Sequence, residues 1–418
     1  MMKENNAARI EKPIPRLQHG REEDTGVAIR KLPVGIQSFE DLRSNGYVYV
    51  DKTAYVRKLV ETGKVYFLSR PRRFGKSLFL STLEAYFRGK RELFQGLAIA
   101  EWEDQKGDAA WKAYPVIRFS LSGGNFNDAD GLADALSQVV ESAAREFGLG
   151  ELIGETLPIR FKSLVRDICE KTGKQVVVLV DEYDKPLLET MAGNPEQEER
   201  NRQLCKSFFS VLKDEDQVLK FVFFTGVTRF SKVSVFSDLN QLRDISLTDA
   251  YSGICGITEE ELVHSFGPEI QTMAEKRAES TDACVKNLAF MYDGYRFTPE
   301  GICVYNPFSL LSAFQDGRLR RYWFETGTPA FVIKKLELSD FTAEQFAEGV
   351  ETDEASLVDY GAENTNPLPL LYQSGYLTIR SYDVEFGLYT LGFPNNEVQY
   401  GFLNSLVPLV PGRRKARA

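Results

Sequence analysis

The sequence predicts an α/β fold: a parallel sheet with helices on both faces, followed by α-rich parts. Three observations carry that reading. Four short apolar runs, at 65–68, 115–121, 175–180 and 219–225, alternate with stretches of helical period, the order expected of βα units. After Gln175 the third run is continuously apolar (Val-Val-Val-Leu-Val), as a parallel strand covered on both faces should be. Beyond about residue 246 the alternation stops and helical period dominates.

Residues 1–30 contain no aromatic side chain, mix both charge signs and include Pro13 and Pro15, the composition of a flexible arm. Structure is expected from Lys31 onward. Asp51 is placed to cap a helix running to about Thr62. Residues 65–68 form the first strand and 76–88 the helix after it. The second strand, 115–121, precedes helical stretches at 132–147 and 161–171. The third, 175–180, precedes a helix at about 197–212 that leads into the fourth, 219–225. Further on, 259–266, 268–279 and 282–291 have helical period, and 294–307 reads as a hairpin turning at Thr298-Pro299-Glu300-Gly301. Residues 367–374 as helix, with 376–382 and 387–393 as paired strands, make a helix followed by a wing. The expected division is an arm (1–30), a sheet domain (31–246), a helical domain with a small hairpin (247–345), a winged-helix-like unit (346–404) and a short basic tail (405–418).

At 418 residues the chain exceeds what one hydrophobic core usually serves, so two or three domains are expected. The balance of 51 basic against 60 acidic residues gives a net charge of −9. Arg413, Arg414, Lys415 and Arg417 supply four positive charges at the tail, so the rest is still more acidic and advertises no broad basic surface for duplex DNA. A local basic patch remains compatible with that total, because steering depends on how charge is distributed. Cys169, Cys205, Cys255, Cys284 and Cys303 are odd in number and never in CxxC spacing, which argues against a disulfide framework or a zinc site. His19 and His264 alone supply neither a histidine metal cluster nor a Ser-His-Asp triad, so metal chemistry would use carboxylate and hydroxyl ligands. No run of about 18 apolar residues and no leader pattern occurs; the expectation is a cytoplasmic chain with no membrane partner.

Between the first strand and its helix lies Ser69-Arg70-Pro71-Arg72-Arg73-Phe74-Gly75-Lys76-Ser77. A phosphate-binding P-loop needs backbone N–H groups at a helix N-terminus, a lysine reaching the β- and γ-phosphates, and a hydroxyl for Mg²⁺. Gly75, Lys76 and Ser77 supply the end of that pattern, while Arg70 stands where GxxxxGK[ST] has its first glycine. The third strand ends in Asp181-Glu182, an acid delivered to the C-terminal edge of the sheet, where ligands of open α/β sheets bind. In a P-loop NTPase reading Asp181 and Ser77 are the metal ligands for Mg²⁺, and Glu182 orients and activates the attacking water. An Asp-Glu pair after a strand also serves as a plain helix cap. Asp181 follows Lys76 by 105 positions with one predicted strand between them, which suits the class in which another strand separates the two in space. That strand is 219–225, so Thr225 and Arg229 are candidate γ-phosphate sensors.

The segments Leu32-Pro33-Val34-Gly35, Tyr49-Val50-Asp51-Lys52-Thr53, Arg70 to Ser77, Val180-Asp181-Glu182-Tyr183-Asp184-Lys185-Pro186 and Phe224-Thr225-Gly226-Val227-Thr228-Arg229-Phe230-Ser231 resemble the bacterial AAA-ATPase-like family. So do Tyr292-Asp293-Gly294-Tyr295, Val304 to Ser309 and Tyr322 to Pro329, and the resemblance covers about residues 31–404. In that family an arginine commonly replaces the first loop glycine, as Arg70 does here. The resemblance implies an α/β P-loop NTPase sheet with helices on both faces, followed by helical and winged-helix-like parts. Many relatives continue into a PD-(D/E)XK nuclease, and with only 405–418 after Asn404 no nuclease activity is expected of this chain.

The cofactors implied are ATP, by default because no guanine-reading NKxD motif follows the loop, and Mg²⁺. The catalytic candidates are Lys76, Glu182, Thr225 and Arg229; the nucleotide-binding candidates are Arg72, Arg73, Phe74, Gly75, Lys76, Ser77 and Leu78. Which of Arg70, Arg72 and Arg73 face phosphate and which pack on the sheet edge stays open. The expected function is a Mg-dependent ATPase acting as a nucleotide-driven switch. The alternative is a non-hydrolysing nucleotide-dependent regulator or a DNA-binding protein. Partners beyond ATP are DNA, through 376–393 or the tail, or a protein; oligomeric state has no signal.

Overall fold

The computed structural model describes residues 30–191, 193–229, 241–325, 341, 343–358 and 366–406, with Val332 and Leu336. The expected arm before Arg30, Phe230-Ser231, Thr326 to Pro329 and the tail beyond Leu406 lie outside the described residues.

Helices α1 (Phe39–Ser44) and α2 (Thr53–Thr62) come first. The N-cap position of α2 is Lys52, one residue later than expected, yet Asp51 still does the capping. Its Oδ1 accepts from the N–H (2.8 Å) and hydroxyl (2.7 Å) of Thr53, and its Oδ2 accepts from the Ala98 N–H. That second bond, unreadable from local pattern, fixes the shift.

Strands β1 (Val65–Ser69), β2 (Val116–Ser120), β3 (Val176–Asp181), β4 (Leu219–Gly226) and β5 (Arg243–Asp244) form a parallel sheet in the order β2-β3-β4-β1-β5. Every residue of β1 and β3 is buried, because α3 (Lys76–Phe87), α4 (Ala98–Asp104), α5 (Gly131–Glu146), α6 (Leu157–Thr172), α7 (Lys185–Met191) and α8 (Pro195–Asp214) surround the sheet; a strand covered on both faces is apolar throughout. Strand β4 separates β1 from β3, as the chain order predicts. This is an α/β P-loop NTPase fold. Strand β5 has two residues and no apolar run, so the sequence gives no sign of it.

The two helices expected at 259–266 and 268–279 form α9 (Glu259–Lys276), broken at Phe266 (φ −123°, ψ 23°) just before Pro268, which can neither donate an N–H nor fit the preceding turn. After α10 (Thr281–Tyr292), the hairpin expected at 294–307 is a single antiparallel bridge, Tyr295 with Val304, beside another joining Ile257 to Tyr305. Helices α11 (Pro307–Asp316) and α12 (Tyr322–Glu325) follow. The C-terminal part holds β6 (Val350–Asp353), the helix Leu368–Gln373, β7 (Thr378–Asp383) and β8 (Leu388–Gly392), the strands antiparallel in the order β6-β8-β7. Strand β6, Val-Glu-Thr-Asp, owes its place to pairing with β8 rather than to its own pattern.

One apolar cluster runs from the sheet through Tyr295, Phe297 and Trp323 to Leu370, Tyr376 and Phe402. A second gathers Leu262, Phe266, Leu288, Tyr292 and Leu310 from α9 to α11. The C-terminal part is thereby pressed against the end of β1, where the candidate phosphate loop begins. All five cysteines are free, and no described helix is long and apolar enough to cross a membrane.

Candidate nucleotide-binding site

At the C-terminal edge of the sheet the chain leaves β1 at Ser69 and enters α3 at Lys76. Gly75 has φ +92° and ψ 14°, and a Cβ there would meet nothing within 4 Å; backbone conformation rather than space demands glycine. Arg73 also takes a positive φ, 67°, a strained choice for a residue with a Cβ. The first bond into the helix is Phe79 N–H to Gly75 O, and the N–H groups of residues 74–78 donate to no described group. These donors at the start of a twelve-residue helix are what an anion site requires.

Lys76 is buried, its Nζ donating to Arg70 O and Pro71 O at 2.9 Å each. Burial pushes its ammonium below the usual lysine range, while Asp181, Glu182 and Asp184 pull the other way. Asp181 ends β3 and is buried; its Oδ1 accepts from Thr225 Oγ1 at 2.7 Å and its Oδ2 lies 3.7 Å from Arg118 Nη2. Thr225 is the strand neighbour expected beside it, whereas Arg118 on β2, which also holds Glu84 at 3.0 Å, had no motif to announce it.

Glu182 follows in left-handed conformation, φ 54°. Burial raises its carboxyl above the usual range, Lys76 opposes the rise and Asp181 adds to it. Asp184, within the Val180-to-Pro186 motif, is buried and accepts from Val227 N–H (2.9 Å), Thr228 N–H (2.6 Å) and Thr228 Oγ1 (2.8 Å). It fastens the end of β4 to that of β3. An acid three residues after Asp181, matched by Thr-Gly-Val-Thr across the end of β4, is its available signal.

The sensor candidate Arg229 lies elsewhere. Its Nε pairs with Asp244 at 2.7 Å and its N–H donates to Gln373 at 2.7 Å, so its described contacts are to β5 and the C-terminal part, not to the carboxylates. The three loop arginines separate by environment. Arg70 is buried, donates to the carbonyls of Ser69, Ser246 and Tyr251, and lies 4.2 Å over the Phe297 ring. Arg72 and Arg73 are exposed, Arg73 reaching over Phe308 at 4.7 Å. Ser77 and Leu78 are half-buried, and Phe74 is buried against Tyr295 and Phe297.

Against known families, the model described as "Predicted AAA-ATPase" matches residues 33–236. A protein of Azotobacter chroococcum mcd 1, named only as an uncharacterized protein in the vnfD 5' region, is 39% identical over 383 residues, which cover 90% of this chain and 70% of that one. The chain belongs to the AAA-ATPase-like family. Among solved structures it is similar to Cdc6p from Pyrobaculum aerophilum (11% identity, 87% of this chain and 97% of that one, TM-score 0.32). It is also similar to the Aeropyrum pernix ORC1 protein in complex with DNA (10% identity, 89% and 98%, TM-score 0.28).

In this AAA-ATPase-like chain the loop also borders a cleft of about 90 Å³. Gly75, Leu78 and Phe79 form one wall, Pro33, Val48 and Val50 a second, and Ile254 to Ile257 a third. The Leu32-Pro33-Val34-Gly35 and Tyr49-Val50 motifs, mute as sequence, thus meet the P-loop in space. The C-terminal part grips the same loop. Trp323 Nε1 donates to Arg72 O at 3.3 Å, and Gly375, at φ +88°, sits so close to Pro71 that a Cβ would come within 2.7 Å of its Cγ.

The residues fit a magnesium nucleotide. Free N–H donors and Lys76 suit phosphate oxygens, and Ser77 with Asp181 offers hard oxygen ligands. No group of three or more His, Cys, Asp or Glu forms a metal cage among the described residues, so a cation held here would share its ligands with the phosphates.

Proposed function

We propose that the chain binds ATP with Mg²⁺, hydrolyses it, and works as a nucleotide-driven switch. The observation that carries this is the row of undonated N–H groups at 74–78, with Lys76 beside it and the Asp181–Thr225 pair at the neighbouring strand ends. Lys76 would exchange the carbonyls of Arg70 and Pro71 for phosphate oxygens. Mg²⁺, when bound, supplies charge neutralisation at the phosphates, with Ser77 and Asp181 as its protein ligands. Glu182 accepts the proton of the attacking water, a role helped by a raised carboxyl pKa. The apolar cleft of Pro33, Val50, Leu78 and Ile254 takes the base, which favours adenine over a guanine needing polar partners.

Switching follows from the grip on the loop. A nucleotide that draws Lys76 off Arg70 O and Pro71 O moves the segment held by Trp323, Tyr295 and Gly375, so the divisions at 247–345 and 346–404 become the moving parts. One observation favours the non-hydrolysing alternative: Arg229 is tied to Asp244 and must leave it to sense phosphate. Calorimetric titration with ATP·Mg²⁺, paired with a phosphate-release assay, tests both readings. Binding with turnover supports the switch ATPase, binding without turnover the regulator, and no binding removes the proposal. The β7–β8 tip does not suit DNA, because the exposed Val384 and Phe386 stand beside Asp383 and Glu385, whose charge repels phosphate.

A further inference from the structure

The opposite edge of the parallel sheet carries a different chemistry. Parallel strands all start from one edge, and here a lysine lies at or shortly before the start of each of the first four: Lys112 four residues ahead of β2, Lys174 two ahead of β3, Lys220 as the second residue of β4, Lys64 just ahead of β1. In the sheet order β2-β3-β4-β1 these lysines form a row across roughly 14 Å, given the spacing of neighbouring strands. Tyr114 stands within the row, its ring 5.3 Å from Lys220 Nζ and 5.7 Å from Lys112 Nζ. It also lines an open groove of about 420 Å³ with Arg88, Lys90, Phe147 and Lys174. Lys64, Lys90 and Lys106 have acidic partners in Asp216, Glu40 and Glu103. Lys112, Lys174 and Lys220 have no ion pair among the described residues. Burial lowers the Lys220 ammonium, and Lys112, Lys106 and Lys64 push it the same way. In a chain of net charge −9, this concentration of unneutralised cations is a local exception.

We propose that this edge binds the phosphodiester backbone of a nucleic acid. The unpaired cations are all lysines, mobile point charges that suit single phosphate oxygens along a backbone without the fixed planar geometry of an arginine fork. A row of such charges gains affinity chiefly by releasing the counterions of a polyanion, and the half-buried Tyr114 ring beneath Lys112 and Lys220 keeps two of them together. Binding here is independent of sequence and of the nucleotide site, which lies a strand length away, roughly 17 Å.

Fluorescence anisotropy with a labelled DNA single strand and its duplex, titrated with the full chain, tests the surface. Binding that weakens about 20-fold between about 50 and 200 mM salt, the value for three phosphate contacts on a single strand, is expected. The triple variant Lys112→Glu/Lys174→Glu/Lys220→Glu should lose on the order of 100-fold at low salt, with Lys→Gln at the same positions losing less. Thermal melts show whether each variant is folded, and Lys76→Ala should bind DNA like the wild type. Absence of binding at low salt, or equal affinity in the folded Lys→Gln or Lys→Glu variant, overturns the proposal. Displacement of the probe by polyglutamate as readily as by unlabelled DNA overturns it in favour of a protein partner.

Discussion

Lys76 illustrates how one side chain holds two jobs. Without phosphate its ammonium stays buried because two loop carbonyls accept from it and three carboxylates oppose the cost of burial. Lys76→Ala removes the charge-assisted bonds to phosphate, each worth about 1.5–3 kcal/mol, so ATP affinity should fall by about 10- to 100-fold in calorimetry. An unchanged Kd would mean that Gly75-Lys76-Ser77 is not the phosphate site. Glu182→Gln keeps the shape of the side chain but loses the proton acceptor. It should bind ATP like the wild type while phosphate release slows by on the order of 10²–10⁴-fold. Asp181→Asn should instead weaken the Mg²⁺ dependence of binding.

At the scale of elements, the sheet edge is held by side chains that local pattern does not assign. Asp184 alone satisfies two backbone N–H groups and a hydroxyl after β4. Asp184→Ala leaves three buried donors unpaired, and denaturant unfolding should show a loss of about 3 kcal/mol or more. Helix α10 supplies a pH-dependent counterpart. Asp293 occupies its C-cap, burial lifts its carboxyl to about 6, and the helix dipole disfavours an anion at that end. Folded protein therefore keeps this proton where unfolded chain releases it, so the group's contribution is complete below about pH 4 and is lost as pH rises to about 6. Asp293→Asn should accordingly match the wild type in Tm near pH 4 and gain on it up to pH 6, with no further gain above. A difference that is constant with pH would rule out Asp293 as the titrating group.

For the whole molecule the question is how a phosphate loop that belongs to the sheet comes to be held by the C-terminal part. Trp323 donates to Arg72 O, Phe74 is wedged against Tyr295 and Phe297, and Gly375 closes on Pro71. If nucleotide state is read through these contacts, Trp323→Phe, which keeps an aromatic ring but loses the donor and part of the buried indole, should lower the Tm modestly while leaving the protein folded. It should also reduce the ATP-dependent change in hydrogen exchange at residues 366–392. A nucleotide effect of wild-type size in that variant would show that coupling does not pass through the loop carbonyl.

By itself the sequence determined the parallel sheet, the place of β4 between β1 and β3, and the Gly75-Lys76-Ser77 and Asp181 positions at one edge. Apolar runs flanked by helical period can bury themselves in few other ways, and a P-loop is contiguous text. Three things were decided only in the tertiary structure. The apolar cleft joins segments some 200 residues apart, Arg229 turned toward Asp244, and the lysine row assembled from four strand starts that are each unremarkable alone. Each depends on which surfaces meet across long loops, and a meeting of that kind leaves no periodicity in the chain.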